Sequence, residues 1–168
     1  MIAGANWGAT AEERALPLAC DGVLAGAPVR LHRAISIDAP AAVVFRWLCQ
    51  LKLAPYSYDL LDNFGRRSPR ELTAGVEHLE VGQRFMTIFK LASFAEMEHI
   101  TLRSHRTAVT YAALAPSDGA TRLLVRVLFD PPGGRFGSAL VGHALAVGDL
   151  VMMRKQLLTL KALAERGT

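Results

Sequence analysis

The motifs of many catalytic and metal-binding sites are missing from this chain of 168 residues. Its five histidines form no HxH or HxxxH pair, and its two cysteines form no CxxC, so the spacing disfavours a metal site. There is no GxSxG nucleophile elbow, no GxGxxG loop and no Walker loop. We therefore expect no metal or other cofactor, and we expect Cys20 and Cys49 to be buried free thiols, with a disulfide as the alternative.

A hydrophobic run long enough to cross a bilayer is also missing. The longest nearly apolar stretch, Leu140–Met153, is interrupted by His143 and Asp149, whereas a membrane-spanning helix needs about 20 apolar residues. The N-terminal sequence has no basic start followed by an apolar core, so it does not resemble a secretory signal, and we expect a cytoplasmic protein. The apolar content of 51% then predicts one domain with either a full core or a lined interior.

Runs of like charge, low-complexity tracts and internal repeats do not occur. The net charge is +4, but the basic residues are scattered except in the segment Gly65–Arg70. That segment matches no nucleic-acid-binding motif and has no repeated interleaving of aromatic and basic residues. We expect a solvated loop there, or an anion-steering rim, and no nucleic-acid partner.

The residues that are present predict an α+β domain over 29–168, preceded by a loosely ordered arm over 1–28. Odd positions from Val29 to Ile37 predict a strand, and Asp38 with Pro40 predicts the N-cap and first turn of a helix that ends before Pro55. Alternation then predicts four antiparallel strands, the last with its odd positions inward. These strands are expected over Arg84–Leu91, Phe94–Arg103, Arg106–Leu114 and Thr121–Phe129.

The segment 138–166 predicts one long helix of about 43 Å. An apolar stripe along it is expected to face the sheet. Val151 lies on this stripe, Met152 widens it, and Lys155 is the one charged residue inside the apolar arc. The stripe comprises Leu140, Ala144, Val147, Val151, Leu158 and Ala162.

The segment from Arg33 to Leu48 resembles the opening of the SRPBCC superfamily, the START-like or helix-grip proteins that include the polyketide cyclase/dehydrase group. The family pattern is matched at Ile37, Ala39, Pro40, Val44, Phe45 and Leu48. The closing segment 149–158 is similar to the long C-terminal helix of the same family.

That resemblance implies a helix-grip fold, in which an antiparallel sheet wraps around the long C-terminal helix and short helices follow the first strand. It also implies an elongated apolar cavity between sheet and helix. Family members bind lipids, sterols, plant hormones or polyketides, and a minority are enzymes whose catalytic residues differ between subgroups. The resemblance therefore implies where a ligand lies but assigns no catalytic residue.

The densest polar and aromatic cluster follows the first helix, where the family cavity has its mouth. In a functional interpretation, Tyr56, Tyr58 and Asn63 hydrogen-bond oxygen atoms of a ligand, and Arg67 holds an anionic group. In the alternative, the tyrosines are packing residues and the charged side chains form local turn bonds and salt bridges. The apolar wall is expected to come from Trp47, Phe85, Phe89, Val151 and Met152.

Two titratable side chains have both a functional and a structural interpretation. If its face of the strand lines the cavity, His99 could serve as acid or base for an aldol-type ring closure; otherwise it is structural. Because a one-residue register slip replaces His99 with Glu98, the sequence alone does not decide the face. Lys155 either extends its ammonium group to the surface or pairs with a carboxylate of a ligand.

Three functions remain open from the sequence. The leading hypothesis is a carrier or sensor of a small hydrophobic molecule, such as a lipid. The second is a cyclase, aromatase or hydrolase-like enzyme that uses His99 or Tyr58. The third is an interaction module, for example a homodimer, whose cavity is filled by its own side chains. A continuous cavity favours the first two, and an ionisable residue facing it favours the second.

Overall fold

A seven-stranded sheet packs against one long C-terminal helix in the computed structural model, which describes residues 4–58, 64–131 and 134–167. The strands are β1 (Asn6–Trp7), β2 (Val29–Ile37), β3 (Arg84–Phe85), β4 (Phe89–Ala95), β5 (His99–Arg103), β6 (Thr107–Ser117) and β7 (Ala120–Phe129). The helices are α1 (Ala11–Ala15), α2 (Cys20–Val23), α3 (Ala41–Cys49) and α4 (Gly134–Ala164), with 3-10 turns over Gln50–Lys52 and Glu165–Gly167.

The strand order is β1-β2-β7-β6-β5-β4-β3, and every neighbouring pair is antiparallel except β1 with β2. This arrangement confirms the predicted α+β, helix-grip architecture, with α3 following the first long strand. No helix of the described residues is long and apolar enough to cross a membrane.

Two of the predicted strands are each divided by a turn. The expected strand over 84–91 breaks into β3 and β4, because Met86 and Thr87 adopt left-handed conformations with φ of 45° and 56°. The expected strand over 94–103 breaks at Met97, whose φ is 61°. Left-handed conformations are uncommon outside glycine. Methionine and threonine therefore give no turn signal in the sequence.

The helix α3 begins differently from the prediction. Pro40 occupies the N-cap position, and its carbonyl accepts hydrogen bonds from the amides of Val43 and Val44. Asp38, the predicted N-cap, instead donates its backbone N–H to Glu165 Oε1 at 2.8 Å. The helix then buries Val44, Phe45, Trp47, Leu48 and Cys49.

The core lies between the inner face of the sheet and α4. As predicted, Leu123, Val125 and Val127 of β7 point inward, and all three belong to the main core. The helix contributes a different stripe from the predicted one, since Val147, Val151 and Leu158 are between 41% and 50% exposed. Because α4 is apolar on several sides, its sequence does not define a single inward face. Among the helix side chains that the structure describes, those buried are Ala146, Met153, Gln156, Leu157, Leu160, Leu163 and Ala164, and the side chain of Leu140 from the predicted stripe lies outside this described part.

The outer face of the sheet is covered by the N-terminal arm, which is ordered rather than loose over its described residues. Thr10 caps α1 through a capping box with Glu13. Farther along, Cys20 packs on Ala108 and Leu128. The thiols of Cys20 and Cys49 are both buried and free. The arm therefore covers the part of this face that β2, β6 and β7 form.

Candidate functional site

A cavity of about 340 Å³ lies between the inner face of the sheet and α4. Small-molecule pockets commonly occupy about 300–1,000 Å³. The deeper wall is mostly apolar, with Val109 and Val127 on the sheet and Met152 and Met153 on the helix. The cavity thus has the size and the apolar walls of a site for a small hydrophobic molecule.

The rim of the cavity is formed by the turn between β3 and β4 and by the segment after α3. Met86, Thr87 and Ile88 of the turn line it, with Ile88 70% exposed, and Phe64 lies at the same rim. Left-handed backbone at a β-branched residue such as Thr87 is strained, and such strain is concentrated at binding and switch sites. The turn therefore both connects β3 to β4 and forms part of the cavity rim.

One end of the cavity is polar because Tyr111 of β6 faces Gln156 of α4. The hydroxyl of Tyr111 donates to Gln156 Oε1 at 2.8 Å, and Gln156 Nε2 donates to the carbonyl of Pro55 at 2.6 Å. Burial, and to a smaller extent the charge of Asp149, raises the pKa of Tyr111 well above its usual value. The phenol is thus a neutral hydrogen-bonded group over the whole physiological range.

An ion pair lies at the same end. Arg33 Nη2 is 2.8 Å from Asp149 Oδ2 and 3.4 Å from the carbonyl of Ala146, and Arg33 Nη1 donates to the carbonyl of His32. The Arg33 side chain is fully buried, while the side chain of Asp149 keeps 22% exposure and lines the cavity. Burial raises the pKa of Asp149 to about 6, and the opposing effect of Arg33 is smaller. The cavity therefore contains a carboxyl group whose pKa lies well above the usual value for aspartate.

Only some of the predicted ligand-binding residues reach this cavity. Phe89 and Met152 line it. Trp47, Tyr56 and Phe85 are instead buried in the main core, and the rings of Trp47 and Tyr56 meet edge-to-face at 6.1 Å. The packing alternative given for Tyr56 describes its position, and Trp47 and Phe85, expected in the apolar wall, lie in the same core.

The other predicted site residues lie elsewhere. Tyr58, Val151 and Lys155 line a separate groove on the exposed side of α4. Arg67 is exposed in its loop, and Asn63 lies outside the described residues. His99 is paired with Ala112, which packs in the outer cluster against the arm, so its side chain lies on the face away from the cavity. Neither the His99 nor the Lys155 side chain therefore lines this cavity.

The sequence interpretation missed Tyr111, Asp149 and Gln156. A signal for one contact existed, since Arg33 is the one polar residue on the inward positions of β2 and Asp149 interrupts the apolar run in α4. Two polar exceptions on facing elements suggest a pair. Across the described ranges, no group of three or more His, Cys, Asp and Glu side chains is arranged to hold a metal ion.

Comparison with known proteins identifies the fold. No family model matches the chain, and no curated protein does. The solved structure of the KanY protein is similar over 82% of this chain and 97% of its own, with a TM-score of 0.56 and 13% identity. A polyketide cyclase-like protein from Corynebacterium glutamicum matches 82% of this chain and 92% of its own, with a TM-score of 0.50 and 14% identity.

A Streptomyces aromatase/cyclase matches 82% of this chain and 93% of its own, with a TM-score of 0.49 and 13% identity. At identities this low, structural similarity establishes a shared fold and leaves function open. The chain therefore has an SRPBCC-like fold, as its sequence resemblance implied.

Proposed function

We propose that this protein binds a small, mainly apolar molecule in the cavity between the sheet and α4, as a carrier or sensor. The observation that carries the proposal is the cavity of about 340 Å³, with apolar walls and one polar end. Apolar walls with few, well-placed polar groups are typical of small-molecule sites. The similar folds of polyketide cyclase-like proteins are compatible with this proposal.

The apolar surface that a ligand could bury in this cavity sets the affinity available without polar contacts. A ligand that buries about 300 Å² of apolar surface gains about 7.5 kcal/mol at about 25 cal/mol per Å². Lost translational and rotational freedom costs at least about 4 kcal/mol. The difference, about 3.5 kcal/mol, corresponds to an affinity in the millimolar range at best. Polar contacts are therefore needed for tight or selective binding.

A cavity-filling substitution tests the proposal. Val109→Phe places a larger side chain into the cavity, and we expect it to weaken the binding of N-phenyl-1-naphthylamine, a neutral fluorescent probe, by about tenfold or more, equivalent to about 1.4 kcal/mol. Leu114→Phe is the matched control, because Leu114 lies on the same strand but is exposed and outside the cavity. Equal probe affinities for wild type and Val109→Phe would exclude the cavity as the binding site.

An enzyme is the second candidate, and Asp149 is the observation that favours it. A cavity-facing carboxyl group with a pKa of about 6 has the properties of a general acid or base at neutral pH. Mass spectrometry of the purified protein, native and after solvent extraction, separates the two candidates. A single bound species supports a carrier. Two bound species that differ in mass by one water support a cyclase or dehydratase, provided that the lighter species is missing from the Asp149→Asn variant.

A homodimer is the remaining alternative from the sequence. Leu145, Val147, Val151 and Leu158 leave apolar surface exposed along α4, which is the kind of surface that partners cover. Sedimentation velocity over a range of concentrations tests it, and a monomer at every concentration would argue against it.

A further inference from the structure

We infer that the polar end of the cavity, where the Asp149 carboxylate faces a ligand and no cationic side chain of the described residues does, selects an uncharged apolar ligand with a hydroxyl group over one with a carboxylate. This inference rests on the proposed binding function and adds to it the chemical class of the ligand. It follows from which donors at the polar end are already bonded, which acceptors are open and which charge faces the cavity.

The donor groups of Tyr111 and Gln156 are already used within the protein. The hydroxyl proton of Tyr111 goes to Gln156 Oε1 at 2.8 Å. One proton of Gln156 Nε2 goes to the carbonyl of Pro55 at 2.6 Å, and the same nitrogen contacts Met86 Sδ at 3.8 Å. A ligand that took the Tyr111 proton, or the Gln156 proton bonded to Pro55, would leave a buried amide or carbonyl oxygen without its partner. Only the contact to Met86 Sδ could be displaced without that cost, because a thioether is a weak acceptor.

The acceptors are only partly used. Asp149 Oδ2 accepts a hydrogen bond from Arg33 Nη2, and no described residue donates to the second carboxylate oxygen. The guanidinium group lies behind the carboxylate, since the Arg33 side chain is fully buried whereas Asp149 is partly exposed to the cavity. A ligand therefore meets the carboxylate rather than the arginine. The oxygen of Tyr111 has a further lone pair that can accept.

A carboxylate ligand finds no counter-charge at this site. The described residues that line the cavity include no Lys or Arg, and Lys155, the predicted headgroup partner, lines the separate groove instead. Within the cavity the ligand's charge would face Asp149, and like charges at close range in a poorly solvated site are unfavourable. The hydroxyls of Ser57, Thr87 and Thr107 also line the cavity and can donate as well as accept, but none carries a positive charge, so they do not offset this repulsion.

Three matched probes test the inference: 2-naphthol, 2-methoxynaphthalene and 2-naphthoic acid, at about pH 7.5, where Asp149 is mainly ionised. They share one ring system and differ in offering a donor, only an acceptor, or a negative charge. Because a hydrogen bond to a charged group is stronger than a neutral one, we expect 2-naphthol to bind about tenfold tighter than 2-methoxynaphthalene. We expect 2-naphthoate to bind most weakly. Isothermal titration calorimetry measures all three.

A double variant connects the preference to the ion pair. Arg33→Met with Asp149→Met removes both charges together, so that neither is left buried alone. We expect this variant to lose the preference for 2-naphthol over 2-methoxynaphthalene, whatever the affinity of the altered wall for the shared ring system. The matched control is Arg106→Met with Asp130→Met, which removes an exposed ion pair away from the cavity and should keep the preference.

The outcomes separate the two proposals. Equal affinities for naphthol and methoxynaphthalene in wild type, or tightest binding of naphthoate, would overturn the inference while leaving cavity binding intact. Retention of the naphthol preference in the Arg33 and Asp149 double variant would also overturn it. If none of the three probes binds, the proposed function itself fails, and the inference fails with it.

Discussion

The two faces of the sheet each bury one arginine, and each arginine has a different kind of environment. On the outer face, Arg126 is 2% exposed and donates to Asp21 at 2.6 Å and to the carbonyls of Arg14 and Leu16. On the inner face, Arg33 is fully buried and has one carboxylate partner at the edge of a cavity. Arg126 joins the arm to the sheet, whereas Arg33 holds the carboxylate of Asp149, which faces the cavity.

The pKa values of the two paired carboxyl groups shift in opposite directions. Burial acts to raise the pKa of Asp21, but the amide of Leu18 and the charges of Arg126 and Arg30 together lower it. Burial raises the pKa of Asp149 to about 6 because it has only one cationic partner. Asp21 is therefore an ordinary structural carboxylate. Burial makes ionisation of Asp149 unfavourable, and carboxyl groups with raised pKa values cluster at functional sites.

The largest effect should come from breaking the inner pair on one side only. Asp149→Ala leaves the charge of Arg33 buried without its partner, and we expect the free energy of unfolding to fall by about 3–5 kcal/mol. Denaturant unfolding measures this loss. The Arg33→Met and Asp149→Met double variant is the control, and it should be nearly as stable as wild type. A single variant as stable as wild type would show that water in the cavity solvates Arg33 adequately.

A smaller loss should follow from lifting the arm away from the outer face. Gly8 has φ of +77°, and a Cβ atom there would lie 2.2 Å from the carbonyl oxygen of Ala34. We expect Gly8→Ala to lower the free energy of unfolding by about 2 kcal/mol, from backbone strain together with displacement of the arm. The binding of N-phenyl-1-naphthylamine should remain as in wild type, because the cavity lies on the other face.

Gly26→Ala is the control for this substitution. Gly26 has the same φ of +77°, but a Cβ atom there meets nothing within 4 Å. It therefore carries the conformational cost without the collision, about 1 kcal/mol. If both variants lost the same stability, close contact between the arm and β2 would not contribute, and the arm would be less firmly attached than its contacts indicate.

The sequence predicted the architecture well because its signals are local. The segment from Arg33 to Leu48 carries the family pattern, and the odd positions of β7 alternate clearly. The inward face of α4 was predicted wrongly, because apolar residues occur on several of its sides and only the sheet decides which are buried. Left-handed turns at Met86 and Met97 divided two strands without any glycine to signal them.

The candidate site was less predictable because it depends on long-range contacts. Phe89 and Met152 could be named from alternation and helical position, and both line the cavity. Arg33 and Asp149 each stood out as a polar exception, but they are 116 residues apart in the chain. No local pattern connects such residues, so only the three-dimensional fold brings the pair together.

The smallest effect, and the most direct test of the comparison, is the pH dependence of stability on each face. His32 lies among the arginines of the outer face, and burial, followed by Arg126 and Arg30, lowers its pKa to about 4 from an ordinary 6.5. Between those values the unfolded state binds the proton, so the His32 contribution to stability falls as the pH falls. The pKa of Asp149 rises to about 6 from 3.8, so in its window the folded state binds the proton.

The Asp149 contribution therefore falls as the pH rises from about 4 to about 6, and the two groups oppose each other in wild type. Relative to wild type, we expect His32→Gln to gain stability on acidification from about pH 6 to about pH 4, and the Arg33→Met and Asp149→Met double variant to lose stability. Each change should be on the order of 1 kcal/mol after allowance for solvent at both sites. Denaturant unfolding of each variant and of wild type at several pH values measures them. Differences from wild type that change with pH in the same direction for both variants would contradict the assignment of opposite roles to the two faces.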